Sequence, residues 1–191
     1  MLTFSIVDMK ISEVREILGK GLGWPKEPMQ DKRNVGEIKL PVHNSGAIPA
    51  IGVFYHPCIN EQKLIFVSNK SDGWDSLLYC ITRDRPFEYL SFRVMPGTFP
   101  LMEMSLVRGG EVARLVRAMK EIRWDFYEIG DPLWFEDKSR YSKRKISDRV
   151  DLGLLLSYSN KNGIDFESSC FFETKKESLW VRETWADDRI D

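Results

Sequence analysis

The fold is decided by residues 101–120, which read LMEMSLVRGGEVARLVRAMK. Two runs with the composition of β-strands, Leu101–Arg108 and Glu111–Lys120, lie on either side of Gly109-Gly110. Glycine tolerates the positive φ angles that a tight hairpin turn requires, so this pair predicts a β-hairpin. The centre of the chain is therefore expected to be antiparallel β-sheet.

The turn also sets which side chains face one another across the two strands. In an antiparallel pair, a two-residue turn fixes the register and so assigns alternate side chains to opposite faces. The register predicts three facing pairs: Met104 with Leu115, Leu106 with Ala113, and Ser105 with Arg114. The first two pairs make one mostly apolar side, and the third lies on the other side.

Other patterns extend this sheet in both directions along the chain. Runs that indicate strands lie at residues 2–7, 48–55, 62–68, 87–94, 124–136 (with a kink at 130–132) and about 179–184. Helical patterns lie at 11–18 (with Ser12 as a possible cap), 71–82 and 139–160. Because strands cluster in the middle and do not alternate with long helices, we expect an α+β fold. Its core is a central, mostly antiparallel β-meander, with one long helix after the meander and shorter helices before it.

Composition and charge limit the domain organisation and the classes of partner. The chain has 191 residues, and 42% of them are hydrophobic, which predicts one domain over residues 1–191. An irregular segment rich in Gly and Pro is expected at about 19–47, with at most a short strand at 35–40. Lys plus Arg total 28 against 29 Asp plus Glu, so a net charge of -1 disfavours nucleic acid as the main partner.

Two further features predict the compartment. No run of about 18 to 20 apolar residues could span a bilayer, and residues 1–10 lack the basic start of a secretory signal. Cys58, Cys80 and Cys170 are odd in number and widely spaced, which is typical of reduced thiols. We therefore expect a cytoplasmic protein with no membrane partner.

Two sets of residues are candidates for catalysis. His56 and Cys58 could form a nucleophilic pair, but no third residue that would orient the imidazole is evident. Paired carboxylates could do acid–base work, and the candidates are Glu128, Asp131, Glu136 and Asp137. No established catalytic or metal-binding spacing occurs. We expect no enzyme activity, catalytic residue, metal or cofactor, and a small enzyme of unrecognised class stays an alternative.

A second alternative is an RNA-binding adaptor. Arg114, Arg117 and Arg144 could belong to a basic face, with nearby aromatic residues such as Trp124 to stack on bases. Acidic residues alternate with the basic ones, however, so an ordinary solvated strand face explains the same pattern.

The C-terminal tail combines aromatic and acidic residues, a composition that suits recognition of a basic protein surface. The candidate partner-binding residues are Trp180, Glu183, Trp185, Asp187, Asp188 and Asp191.

One resemblance covers about residues 71–160. It rests on Ser71-Asp72-Gly73-Trp74, on Arg114–Lys120, on Trp124–Glu136, and on Tyr141, Arg144-Lys145-Ile146 and Asp148-Arg149. These strings resemble small bacterial immunity proteins that are encoded beside polymorphic toxins, such as Rhs and contact-dependent inhibition systems. The resemblance implies stoichiometric neutralisation of a cognate toxin domain in the cytoplasm, and it implies no catalytic residue.

Overall fold

The computed structural model describes residues 1–20, 29–33, 36–40 and 49–183, with only the backbone at 29–33. The strands are β1 (Leu2–Val7), β2 (Met29–Arg33), β3 (Gly36–Glu37), β4 (Ile51–Tyr55), β5 (Leu64–Ser68), β6 (Glu88–Met95), β7 (Leu101–Arg108), β8 (Glu111–Lys120), β9 (Trp124–Ile129), β10 (Glu173–Thr174) and β11 (Ser178–Arg182). The α-helices are α1 (Ile11–Gly19), α2 (Asp75–Thr82) and α3 (Leu152–Lys161).

A large antiparallel sheet organises the described part of the chain. Its nine strands there follow the order β2-β11-β4-β5-β1-β6-β7-β8-β9, and β3 pairs separately with β10. Strands β6 to β9 form the predicted meander, and α3, the longest of the described helices, follows it. The predicted α+β class is confirmed. None of the described helices has the length and hydropathy needed to cross a membrane.

Each face of the sheet has its own core because strand side chains alternate between faces. Helices α1 and α2 cover one face, on which the tilted rings of Phe54 and Phe66 pack with centroids 4.4 Å apart. The segment 133–172, which includes α3, covers the other face. We call the second face the α3 face.

The hairpin around Gly109-Gly110 forms as predicted, with positive φ at both glycines. Its register shifts two pairs after the turn, at a bulge between Leu106 and Val107. The observed pairs are Met104 with Val116, Ser105 with Leu115 and Leu106 with Arg114. The three predicted pairs are therefore wrong.

The bulge changes the face of the sheet on which the Arg114 side chain lies. An extra residue in one strand reverses which face the following side chains occupy. Arg114 therefore lies on the α3 face with Val116 and Ala118, and its side chain is buried there.

The helix predicted at 139–160 is shorter than expected. Two 3₁₀ turns, Lys138–Arg140 and Ile146–Asp148, precede α3, which begins only after Asp151. The Asp151 carboxylate accepts the Leu154 backbone N–H at 2.8 Å and caps the helix. A longer helix would place the basic segment 143–149 at its positive N-terminal end, which is unfavourable.

The structure differs from the sequence-based predictions at the start of α1 and in the segment 19–47. Lys10, and not Ser12, is the N-cap residue of α1. Within the predicted irregular segment, residues 21–28, 34–35 and 41–47 lie outside the described residues. Strand β2 was missed there because Met29–Arg33 has no alternating apolar pattern.

Candidate functional site

A buried ionic network lies on the α3 face. Arg114 donates to Glu136 at two points, Nε to Oε1 at 2.9 Å and Nη2 to Oε2 at 2.7 Å. Its Nη2 also donates to Glu128 at 3.0 Å, and its Nη1 donates to the carbonyls of Ile129 and Gly130 at 3.1 and 2.7 Å. Burial would lower the pKa of the Arg114 guanidinium, but the bonds and charge of Glu136 outweigh it and raise the pKa.

The network continues through two tyrosines. The Tyr141 hydroxyl donates to Glu136 Oε2 at 2.6 Å and lies 3.0 Å from the Tyr158 hydroxyl. The Tyr158 hydroxyl in turn accepts the Asp137 backbone N–H at 2.8 Å. Burial, together with the bond to Glu136, raises the pKa of Tyr141, so this hydroxyl stays protonated. Paired and hydrogen-bonded throughout, the network can stay charged inside the core.

This arrangement bears on whether the candidate carboxylates can act as an acid–base pair. Glu136 is sealed inside the protein, where a substrate cannot reach it, and Glu128 pairs with the same Arg114 guanidinium. Asp137 accepts the Ser139 hydroxyl at 2.6 Å, and this bond lowers its pKa. An acid–base pair needs two groups in different protonation states that a substrate can reach. Glu128, Glu136 and Asp137 do not provide one.

The same network fixes a loop that presents an exposed tryptophan. Glu136 Oε1 accepts the Leu133 backbone N–H at 2.8 Å, and the Lys161 ammonium donates to the Phe135 carbonyl at 2.9 Å. The Phe135 ring is buried and packs against Tyr158 with centroids 5.5 Å apart. Trp134 lies between these anchors, and it is 79% exposed. The loop thus holds a large aromatic side chain in solvent on a rigid support.

A cleft of about 740 Å³ lies beside this loop. It opens where β1 and β7 end and where β5 and β6 begin, and Leu133, Trp134 and Phe135 form one wall. The remaining wall is apolar at depth and charged at the rim. The charged rim residues are Asp8, Lys10, Glu13, Lys63, Glu88 and Arg108, of which Glu88 and Arg108 form an ion pair at 2.6 Å.

Comparison with known proteins adds no relative to this picture. No family model, curated protein or solved structure matches the chain. The cleft and the Trp134 loop together are called the Trp134 site below.

The pair His56 and Cys58 shows no nucleophilic arrangement. His56 Nδ1 lies 2.9 Å from the Lys63 carbonyl, and burial lowers the pKa of the imidazole. Cys58 donates its backbone N–H to the Glu173 carbonyl, and all three cysteines are free thiols. In the described part of the chain, no cluster of His, Cys, Asp or Glu could hold a metal ion.

The arginines of the RNA hypothesis do not share a face. Arg114 is buried, so it cannot reach a phosphate. Arg117 lies on the opposite face of the sheet, 5.6 Å above the Tyr127 ring and 3.7 Å from Glu103. Arg144 is exposed in the segment that covers the α3 face.

Two of the six tail residues lie in the described part, and both have structural contacts. Trp180 is half-buried in β11, and its indole N–H donates to the Ser178 hydroxyl at 3.1 Å. The Glu183 carboxylate accepts the Ala50 backbone N–H at 3.1 Å. Trp185, Asp187, Asp188 and Asp191 lie outside the described residues.

Sequence reasoning missed Trp134. The residue lies two positions after Gly130-Asp131-Pro132, and Gly and Pro at these positions predict a loop there. The neighbouring Leu133 and Phe135 are apolar too, so the pattern alone could not show which of the three faces water.

Proposed function

We propose that this chain is a binding protein that neutralises a cognate bacterial toxin domain in the cytoplasm through a stoichiometric complex. One observation carries the binding role. Trp134 is 79% exposed on a loop that buried charges and hydrogen bonds hold in place. We propose the Trp134 site as the main contact surface and binding, not catalysis, as the mode of action.

An exposed tryptophan on an ordered loop favours association for two energetic reasons. Tryptophan is among the residues that contribute most to binding at protein interfaces, where it fills a desolvated pocket of the partner. A loop that is already ordered loses little entropy when it binds, so more of the contact energy becomes affinity. The Arg114–Glu136 network gives the Trp134 loop this order before any partner arrives.

The rim of the cleft supports the same role. It carries three acidic and three basic residues around an apolar floor, and an apolar centre with a polar rim is the usual arrangement of a protein interface. Mixed charges of this kind select a partner with a complementary pattern and fix its orientation. An apolar floor with one exposed aromatic residue beside it offers the partner both a pocket and an anchor.

The toxin is proposed as the partner because of the resemblance in sequence. The string Trp124–Glu136, which carries much of that resemblance, contains the whole Trp134 loop. The acidic tail is proposed as a second contact that steers a basic toxin surface toward the site. Within it, Trp180 and Glu183 serve mainly to hold β11 in place.

The test is co-expression with the toxin-like domain encoded beside this gene. We expect the domain alone to arrest growth, and this chain to restore growth and to co-purify with the domain at a one-to-one ratio. The proposed function would be overturned if the neighbouring domain is toxic but this chain neither restores growth nor binds the domain.

A further inference from the structure

Two turns project from the end of the sheet that lies opposite the Trp134 site. Residues 96–100 connect β6 to β7, and residues 121–123 connect β8 to β9. The Lys120 backbone N–H donates to the Pro100 carbonyl at 3.0 Å and so holds the two turns side by side. Since β7 and β8 are neighbours, the turns lie within about 10 Å of each other. We call this end of the sheet the tip.

The tip exposes large apolar side chains. Ile122 is 98% exposed and Phe99 is 67% exposed, one on each turn. Met1 is 71% exposed at the start of β1, where Leu2 pairs with Val94 near the β6–β7 turn. Turns normally carry Gly, Asn, Asp, Pro or Ser, and an isoleucine at such a position contributes no packing to the fold. Several apolar side chains at one end indicate a surface that something else covers.

Basic residues lie beside the tip, on the turn 121–123 and on the α3 face. The 3₁₀ turn Ile146–Asp148 packs on β8 and β9, and the Arg149 guanidinium lies 5.1 Å above the Phe126 ring. This contact places the segment 143–149 beside the half of β9 that begins at the tip. Residues 120–126 and 143–149, all of them described, contain six basic and three acidic side chains. The basic ones are Lys120, Arg123, Lys143, Arg144, Lys145 and Arg149.

Few of these cations are neutralised within the two segments. Lys145 pairs with Asp148 at 3.3 Å, and both side chains are largely exposed. Arg149 donates to the Lys143 carbonyl at 2.7 Å, which orders the segment without cancelling a charge. Arg123, Lys143 and Arg144 point to solvent. The tip thus combines protruding apolar side chains with a net positive segment on its α3 side.

We propose that the tip docks on the surface of an anionic lipid bilayer. Phe99 and Ile122 enter the boundary between headgroups and acyl chains, and the neighbouring Lys and Arg side chains contact lipid phosphates. Peripheral proteins bind membranes through these two terms together, apolar insertion and attraction to anionic lipid. The cytoplasmic leaflet carries the required negative charge.

The apolar side chains distinguish a bilayer from nucleic acid as the occupant. Single-stranded nucleic acid stacks on aromatic rings, and neither Ile122 nor Met1 offers a ring. A bilayer accepts any apolar side chain that protrudes. The expectation of no membrane partner rested on the lack of a spanning segment, and docking at the surface requires none.

The experiment measures binding of the full chain to phosphatidylcholine vesicles with and without phosphatidylglycerol, by flotation. We expect binding only to the anionic vesicles, and weaker binding as salt is added. Phe99→Ser with Ile122→Ser should reduce the affinity about tenfold or more, because two apolar insertions are lost. Lys143→Gln with Arg144→Gln should reduce it by about fivefold per charge.

The matched control is Trp134→Ser, which removes an equally exposed aromatic side chain at the opposite end of the sheet and should leave vesicle binding unchanged. All the substituted side chains are exposed or lie in an exposed segment, and thermal unfolding of each variant verifies the fold.

Absence of wild-type binding to anionic vesicles at low salt would overturn the proposal. The proposal would also be overturned if the Phe99/Ile122 variant bound the anionic vesicles as tightly as the wild type does. A third contrary result is binding of the chain to a short RNA, if this binding requires Lys143 and Arg144 but not Phe99 or Ile122. The outcome is distinct from that of growth rescue, because the main toxin contact is proposed at Trp134, at the other end of the sheet.

Discussion

Arg114 and Glu136 form a two-point ion pair whose side chains are 1% and 0% exposed. The two residues are 22 positions apart, on β8 and on the loop that follows β9. The pair brings that loop against the sheet. The Arg114 side chain donates to the Gly130 carbonyl and the Glu136 carboxylate accepts the Leu133 N–H, so the backbone just before Trp134 is held. A structural element in the core thereby fixes the geometry of a side chain at the surface.

The first prediction concerns the stability that this pair provides. Removing one partner of a buried pair leaves the other charge uncompensated and costs about 3–5 kcal/mol. We expect Arg114→Met and Glu136→Leu each to lower the free energy of unfolding by an amount in this range. The double variant should lose clearly less than the sum, since neither charge is then left alone. Urea unfolding measures all three.

The matched control for that cycle is the exposed pair Glu88 and Arg108, which lie 2.6 Å apart. Exposed pairs contribute about 0–1 kcal/mol, so Arg108→Met should have little effect on unfolding. Additive losses at Arg114 and Glu136 would contradict the view that they act as one unit.

Gly130 tests the link between the network and the loop. Its φ is +74°, and a Cβ there would lie 2.0 Å from the Ala113 carbonyl oxygen. Gly130→Ala should therefore destabilise the fold by more than about 2 kcal/mol and move the loop. Gly97→Ala is the control, because its φ is +124° but no atom lies within 4 Å of the added Cβ. Equal unfolding midpoints for the two variants would show that the contact with Ala113 is unimportant.

The hairpin shows what local sequence could and could not predict. Gly109-Gly110 specified the turn because only the backbone of the turn residues is involved. The bulge at Leu106/Val107 could not be predicted, because its effect is to bring Arg114 to Glu136, a partner 22 residues away. The residues that flank a buried charged side chain in the sequence can be the same as those that flank one on a solvated strand, so the local sequence does not distinguish the two cases.

The site was harder to predict than the fold for a related reason. Apolar periodicity identified most of the strands of the large sheet, whose side chains alternate between core faces. It could not separate Trp134 from the buried Phe135 beside it, since both follow the same turn. The loop geometry depends on bonds from Arg114, Glu136 and Lys161, which come from three different elements.

The pH dependence of stability provides a test at His56. Burial lowers the pKa of His56 below its ordinary value of 6.5. In the unfolded chain the imidazole therefore takes up its proton at a higher pH than in the fold. The stability that comes from this difference is present above about pH 6.5 and is lost as the pH falls toward the lowered folded-state pKa. The measurement is the difference in unfolding free energy between the wild type and His56→Gln, which should change over this window and remain constant above it.

The acidic tail gives a kinetic prediction. If Asp187 and Asp188 steer a basic toxin surface, reversal of both charges to Lys should slow association and make its rate less sensitive to salt. The dissociation rate should change little, because steering acts before contact. Stopped-flow association at two ionic strengths measures this, and unchanged kinetics would remove the tail from the interface.

The most direct prediction separates binding from stability at Trp134. Its side chain is exposed, so Trp134→Ala should change the free energy of unfolding by less than about 0.5 kcal/mol. The same change should weaken toxin binding by about 2 kcal/mol or more, a loss of roughly thirtyfold in affinity. Calorimetric titration with the toxin domain measures the second effect, and Phe99→Ala, which removes an exposed ring at the tip, is the control. An affinity that falls equally in both variants would mean that the contact is not centred on Trp134, because the two rings lie at opposite ends of the sheet.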